Sequence, residues 1–283
     1  LSVYNPIILR LKAMIARDHD SRPHERRLRR FYIPQPLSQA GDFIRLDASQ
    51  THHLRHIIRL SLGDHCLVTD GQGWEGEAEV REFTRDGGTK LAICRITRTT
   101  EPRTNKTVFR VMPALLQKGK TDFLIEKAQE LGLDEFWPIL SDRCEIKIPE
   151  EKLVKTVDRW RRIAIEASKQ SGALMAVKIS EPVAFRKAIE ALAEDDGLLI
   201  FHPSPEAVPF ARWINERSQV ADPLKSLNIL IGPEGGFTDD EIEWTLWRGK
   251  KKNVWIVSLG DTVLRADTAF ISILGTLRFL EIV

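Results

Sequence analysis

Cysteine is scarce in this chain. Cys66, Cys94 and Cys144 are odd in number, far apart in sequence and form no CxxC pair. That argues against a disulfide framework or a structural zinc site and fits a reducing compartment. Long hydrophobic runs are missing too, and none approaches the length that spans a bilayer. His52, His53 and His56 lie close together, but no HExxH or comparable pattern accompanies them. They read more plainly as polar residues on a surface helix than as a metal site.

What is present suits a globular protein. At 283 residues the chain can hold two domains with real cores, and 42% hydrophobic with 29% charged residues excludes a disordered composition. The net charge of +2 conceals an asymmetry: residues 1–120 hold 21 Lys and Arg against 13 Asp and Glu, and the remainder has an acidic excess of 6. A basic front half points to a polyanionic partner met by that half. Residues 1–29, which run into RPHERRLRR, read as an N-terminal extension. A disordered basic arm and the remains of a transit peptide are the alternatives, and Asp18, Asp20 and Glu25 count against the second.

After the entry FYIPQPL, FIRLD (43–47) predicts a strand and SQTHHLRHIIRL (49–60) a short helix capped by Ser49. DHCLVTD (64–70), WEGEAEVREF (74–83) and TKLAICRIT (89–97) predict further strands, separated by the turns GQG and RDGG. This spacing predicts a small β-barrel or sheet domain over 30–103. TTEPRTN (99–105), polar and proline-bearing, marks the boundary. Residues 104–283 then alternate: strands at 108–116, 136–140, 197–203, 227–233 and 254–260, helices at 121–132 and 150–171, and helical sequence after each later strand. Alternation of this kind predicts an α/β domain with a mostly parallel sheet. Ligands of such sheets sit beyond the carboxyl ends of the strands.

Three loops fall at such ends: HPSP (202–205), GPEGGFTDDE (232–241) and SLGDTVLRADTAF (258–270). Thr238 and Glu241 form a capping box, with Asp239 and Asp240 placed where a helix start favours negative charge. The GPEGG segment matches neither GxGxxG nor the P-loop pattern, and Glu234 would repel a phosphate. A ligand with a positive centre, held by backbone groups, suits this acidic, glycine-rich loop better. A β-branched residue in place of Gly235 is expected to abolish binding of that ligand by blocking close backbone approach.

IGPEGGFT together with SLGDTVLRADTA resembles the paired signatures of the SPOUT-class RNA methyltransferases, within that class the small-subunit ribosomal RNA uridine-N3 methyltransferases. RRFYI and HHLRHIIRLSLGD resemble that family's PUA-like barrel. LLQKGKTDFLIEKAQELG, FWPILSDRCEIK and RWRRIAIEASKQSG resemble its catalytic domain, so the likeness runs over nearly the whole chain from residue 30. It implies a trefoil knot at the C-terminal end of the α/β domain, a homodimer packed through it, S-adenosylmethionine as methyl donor and small-subunit ribosomal RNA as substrate. No membrane is implied. The compartment is cytoplasmic, or organellar if residues 1–29 are a transit peptide.

The resemblance implies a cofactor pocket walled on one side by Gly232, Pro233, Glu234, Gly235 and Gly236. The other side is closed by Leu259, Gly260, Leu264, Thr268 and Ala269, with His202 beside it. His202 could also take part in proton removal or be structural. Arg265 is the candidate for orienting uracil carbonyls and stabilising developing charge, the alternative being an ion pair that holds the knot. Asp267, standing where the family carries Glu, and Glu166 complete the catalytic set. RNA contacts are assigned to Arg30, Arg55 and Arg59 on the barrel, Lys118 and Lys120 after the first α/β strand, and Arg143, Arg162 and Gln170. After QSG the family continues with Arg and a nearby Pro, whereas Ala173, Leu174 and Met175 stand here. A noncatalytic RNA-binding or ribosome-assembly protein, an enzyme of the class with a different RNA target, and a different small-molecule transferase remain the alternatives.

Overall fold

A computed structural model describes residues 28–33, 37, 40–71, 73–100, 107–117, 119–171, 173, 175–220, 224–248 and 253–280. The expected N-terminal extension lies outside these residues except for Leu28 and Arg29, and so do Lys118 and Leu174. Two compact units are formed. Among the described residues no helix is long and apolar enough to cross a membrane, and no group of three His, Cys, Asp or Glu could hold a metal ion.

The first unit, Arg22–Thr104 with Ile165–Ala176, is built on a five-stranded sheet. Its strands are β1 (Arg30–Tyr32), β2 (Phe43–Arg45), β3 (His65–Thr69), β4 (Glu75–Asp86) and β5 (Thr89–Thr100). Helix α1 (Ala48–His52) runs on into a wider π-type turn over His53–Ile58. The order is β1-β3-β4-β5-β2, antiparallel except between β1 and β3. Gly87 and Gly88, at φ 54° and 88°, make the two-residue turn whose twist matches the paired strands β4 and β5. Alternation along β4 buries Gly76, Ala78 and Val80 and leaves Glu75, Glu77 and Glu79 half-exposed. The expected cap of α1 shifts by two residues. Asp47 has extended backbone and accepts the amide of Gln50 at 2.8 Å, while Ser49 already lies inside the helix. Cys66 and Cys94, distant in sequence, meet in this core as thiols; their mutual hydrogen bond, and then burial, push the Cys66 thiol up.

The second unit, Asn105–Ala164 with Val177–Val283, is the α/β layer structure. Its elements are β6 (Val108–Pro113), α2 (Lys120–Glu130), β7 (Glu135–Phe136), β8 (Ile139–Leu140), α3 (Glu150–Ser171), β9 (Lys178–Ile179), β10 (Val183–Ala184) and α4 (Phe185–Glu190). They continue with β11 (Gly197–Phe201), β12 (Val208–Pro209), α5 (Phe210–Arg217), β13 (Ser226–Ile231), α6 (Asp239–Arg248), β14 (Val254–Ser258) and α7 (Ala266–Phe279). From Ile165 onward α3 counts with the first unit. The seven-stranded sheet has the order β12-β14-β11-β13-β6-β7-β9, and every pair is parallel. Helices cover both faces. Leu124, Trp160, Trp213 and Phe270 belong to the core on one, Phe185, Ile189, Phe237 and Ile242 to the core on the other. A strand covered on both faces needs no polar alternation, and SLNILI of β13 is buried at all six positions.

FWPIL, expected as one strand, is divided by Trp137 and Pro138: Pro138 has no amide to give to a ladder, so β7 stays in the main sheet and β8 pairs with β10 instead. VFRVMPALL likewise ends as a strand at Pro113, with a single bridge from Ala114 to Ile139.

Arg110 crosses the centre of this sheet. On β6 it stands opposite Glu135 of β7 and Asn228 of β13, donating to the first at 2.7 Å and to the second at 2.6 Å. Its guanidinium also lies 4.0 Å from the Trp137 ring centroid. Fully buried Asn228 passes the chain on to the Gly197 carbonyl of β11 at 2.9 Å. Four neighbouring strands are thereby tied by one polar network. Arg110→Ala leaves the buried Asn228 and the half-buried Glu135 without their donor and is expected to cost about 2–4 kcal/mol in urea unfolding. Arg110→Lys is expected to recover less than half, because an ammonium cannot fork between two strands. A loss under about 1 kcal/mol would show that the network carries little of the stability.

Candidate active site

The loop after β13 closes on itself before it meets anything else. The Gly236 amide donates to the Pro233 carbonyl at 2.8 Å, with Gly236 at φ 69°, where a side chain is disfavoured. A Cβ on Gly232 would stand 3.2 Å from the Gly236 Cα and 3.3 Å from its carbonyl carbon. On Gly235 it would meet only the Arg143 side chain, at an ordinary 3.4 Å. Within the protein itself the sterically demanding glycine is therefore Gly232, and its close approach is to another part of the same loop.

The capping box forms as expected: the Thr238 amide donates to Glu241 at 2.9 Å, and the Glu241 amide to the Thr238 hydroxyl at 3.2 Å. The buried Glu241 carboxylate does more, accepting the Asp142 amide at 3.0 Å. Arg143 fastens the same two segments, donating to the Gly235 carbonyl at 2.6 Å and to that of Phe237 at 3.2 Å. One guanidinium nitrogen of this expected RNA-binding residue is thus engaged by the loop.

Lys120 and Glu234 form an ion pair at 2.5 Å. The Lys120 hydrogen bond holds the Glu234 carboxyl below its usual range, against partial burial and the nearby charge of Asp267. Glu234 therefore does not make the loop acidic in the sense inferred from sequence, since Lys120 compensates it.

Strands β14, β11 and β13 are consecutive neighbours, so their three following loops leave the sheet side by side. His202 follows β11, its amide donating to the Val257 carbonyl at 3.2 Å. Its Nδ1 and the Ser204 Oγ are buried without a hydrogen-bond partner among the described residues. Buried polar atoms of this kind are normally satisfied, by protein, by ordered water or by a ligand. Burial lowers the His202 imidazole from its ordinary 6.5; Asp239 opposes this and Arg143 adds to it. Sequence had raised His202, whereas Ser204 was only a letter in HPSP.

Leu259 and Ala269 pack at the edge of the core that holds α7, and Leu264 is half-buried. Gly260, at φ 109°, turns the chain in open space. Arg265 is the N-cap of α7, exposed and without an ion-pair partner among the described residues. Asp267 accepts the Thr268 amide at 2.8 Å within the first turn.

The remaining predicted residues lie on other elements. Glu166 and Gln170 fall on the end of α3 in the first unit, lining with Arg30 and Lys169 a cavity of about 550 Å³. Glu166 is paired with Lys169 at 2.7 Å, and Arg30 with Glu75 at 2.7 Å from its Nε. Arg55 lies over the Phe83 ring at 5.1 Å, Arg59 ends its helix at φ 63°, and Arg162 donates to the Asp158 carbonyl at 3.4 Å.

Residues 103–278 match the family described as an RNA methyltransferase domain, and the chain belongs to that family. Among curated relatives, the ribosomal RNA small subunit methyltransferase E of Bacillus subtilis is 25% identical over 258 residues, covering 89% of this chain and 96% of that protein. The protein of the same name from Mesomycoplasma hyopneumoniae is 32% identical over 174 residues, covering 62% of this chain and 69% of its own. A Legionella pneumophila protein described as a methyltransferase, solved in complex with the bound cofactor SAM, superposes with a TM-score of 0.72 at 26% identity, covering 89% and 98% of the two chains.

Gly232→Ala is expected to destabilise the protein by about 1–3 kcal/mol, since backbone must move, whereas Gly235→Ala should stay within about 0.5 kcal/mol. Urea unfolding of both variants separates them, and equal losses would contradict the loop geometry. Because the folded state resists protonation of His202, the unfolded chain takes up the proton first. Stability is then lost as pH falls below about 6.5. His202→Gln should flatten that dependence, and an unchanged slope in urea unfolding would show that the imidazole is not held neutral.

Proposed function

We propose that this chain transfers the methyl group of S-adenosylmethionine to N3 of a uridine in small-subunit ribosomal RNA. The observation that carries the reading is the loop cluster at the carboxyl ends of β14, β11 and β13, with two unsatisfied polar atoms facing no protein partner. The names of the relatives and the SAM complex of the Legionella protein support donor and substrate. The uridine-N3 choice rests on the paired loop signatures of residues 231–238 and 258–269.

In this reading His202 and Ser204 offer hydrogen bonds to the cofactor, and Leu259 and Leu264 offer apolar walls. The cofactor supplies a sulfonium-activated methyl group. The chain's own work is alignment, which can lower a barrier by up to about 7–11 kcal/mol, and stabilisation of charge. Uracil N3 must lose a proton, and the negative charge that develops on the ring carbonyls is met by Arg265, whose guanidinium no carboxylate of the described residues neutralises. Arg143, bound to two loop carbonyls, acts as a support for that loop. The reading includes a homodimer packed through a knotted C-terminal region and action in the cytoplasm.

Nucleoside mass spectrometry after incubation with labelled S-adenosylmethionine and small subunits lacking the modification is the test. Label in 3-methyluridine at one site is expected. Label in another nucleoside would discard the N3 choice, and cofactor binding without label would favour a noncatalytic RNA-binding protein. Arg265→Ala should leave cofactor affinity near its original value while lowering kcat by about 10²–10³-fold. Normal turnover in a folded variant would remove Arg265 from the catalytic set.

A further inference from the structure

A second recess opens in the α/β unit, at the carboxyl end of β6. It is a cleft of about 880 Å³. Its floor is apolar: Leu115, Leu116 and Trp160 are buried, and Ile146 and Ile148 are half-buried. Its rim carries Lys147, Lys152 and Lys155, all exposed and without an ion-pair partner among the described residues. Two carboxylates also line it. Asp122 is consumed, accepting from Arg159 and, at 3.0 Å, from the Trp160 indole. Glu151 remains on the rim, so positive charge is in excess. Lys152 and Lys155, three residues apart on α3, share one side of that helix.

The position of the cleft gives it meaning. β6 is the neighbour of β13, and the Ala114 amide donates to the Ile231 carbonyl at 2.8 Å, immediately before Gly232. Thr121, on the cleft wall, follows Lys120, which is paired with Glu234 of the glycine loop. The cleft therefore opens one strand away from the candidate active site, at the same edge of the sheet.

We propose that this cleft is a subsite for a nucleotide of the substrate RNA that flanks the methylated one. The base lies against Ile146 and Ile148, and the backbone phosphates meet Lys152 and Lys155. Proteins that hold single-stranded RNA combine such cations with side-chain surfaces, commonly aromatic, on which bases stack; here the accessible surface is the aliphatic pair Ile146 and Ile148. The volume is that of a site for a small organic ligand. Neither the glycine loop nor the loop signatures assign these residues a role. The inference rests on the RNA methyl-transfer reading above.

The test uses the full chain and fluorescein-labelled oligouridine, with binding read by anisotropy over a salt series. Lys152→Ala/Lys155→Ala should weaken binding and reduce the slope of log affinity against log salt by about 0.7 per lysine. Ile148→Ala should weaken binding with the slope unchanged. Both variants should raise KM for small subunits several-fold while leaving the affinity for S-adenosylmethionine unchanged by calorimetry. An unchanged salt slope and unchanged KM in the double-lysine variant would overturn the subsite. If the unaltered chain methylates no small subunit, the functional reading fails instead, and the two failures are distinguished by the wild-type reaction alone.

Discussion

The α/β unit depends on one polar constraint, the guanidinium of Arg110 held between Glu135 and Asn228 across the middle of a parallel sheet. A strand buried on both faces has no solvent side to specify its register, and apolar contacts alone tolerate a slip. A hydrogen-bonded charge does not tolerate it, because any shift strands a buried acceptor. Arg110, Asn228 and Glu135 are direct cross-strand neighbours, so the network pins β7, β6 and β13, and Asn228 extends it to β11. The loops that leave β13 and β11 inherit their relative positions from this registration.

Above that edge the geometry is set by backbone groups answered with charge. The glycine loop folds over itself between Gly232 and Gly236, and its outer carbonyls are taken by Arg143. Glu241 closes the helix start with one oxygen and reaches the Asp142 amide with the other. Lys120 neutralises Glu234. The charged residues here mostly serve to hold the loop, and among the described residues the buried side-chain atoms left unsatisfied are the His202 Nδ1 and the Ser204 Oγ. A preorganised loop with a few unanswered polar atoms is what alignment-based catalysis requires, since the loop need not reorganise when the reacting groups arrive.

Much of this was legible in the sequence, for reasons that can be named. The alternation in β4, the double-glycine turn at Gly87 and Gly88, and the Thr238–Glu241 box are local, and local pattern reports them directly. The helix of 150–171 carries its own periodicity and was readable to the residue. The differences are of two kinds, local backbone geometry and pairings between distant residues. Pro138, with no amide for a ladder, divided a strand, and the second piece found its partner in β10, far along the chain. Asp47 capped α1 because its backbone, not that of Ser49, is extended. Glu234 looked like a repulsive charge until Lys120, more than a hundred residues away in sequence, was placed beside it. The tight fit at Gly232, where a Cβ would meet the Gly236 backbone, is likewise a contact that only the folded loop shows.

The sequence by itself determined the layer architecture, the loops that follow the strands at their carboxyl ends and the paired signatures that mark the family, because hydrophobic period, turn residues and motif spacing are properties of short segments. Only the tertiary structure decided the strand order β14-β11-β13-β6, and with it which loops stand side by side, which charges cancel and which polar atoms are left for a ligand. Those are pairings between residues remote in the chain, and local sequence holds no record of the partner.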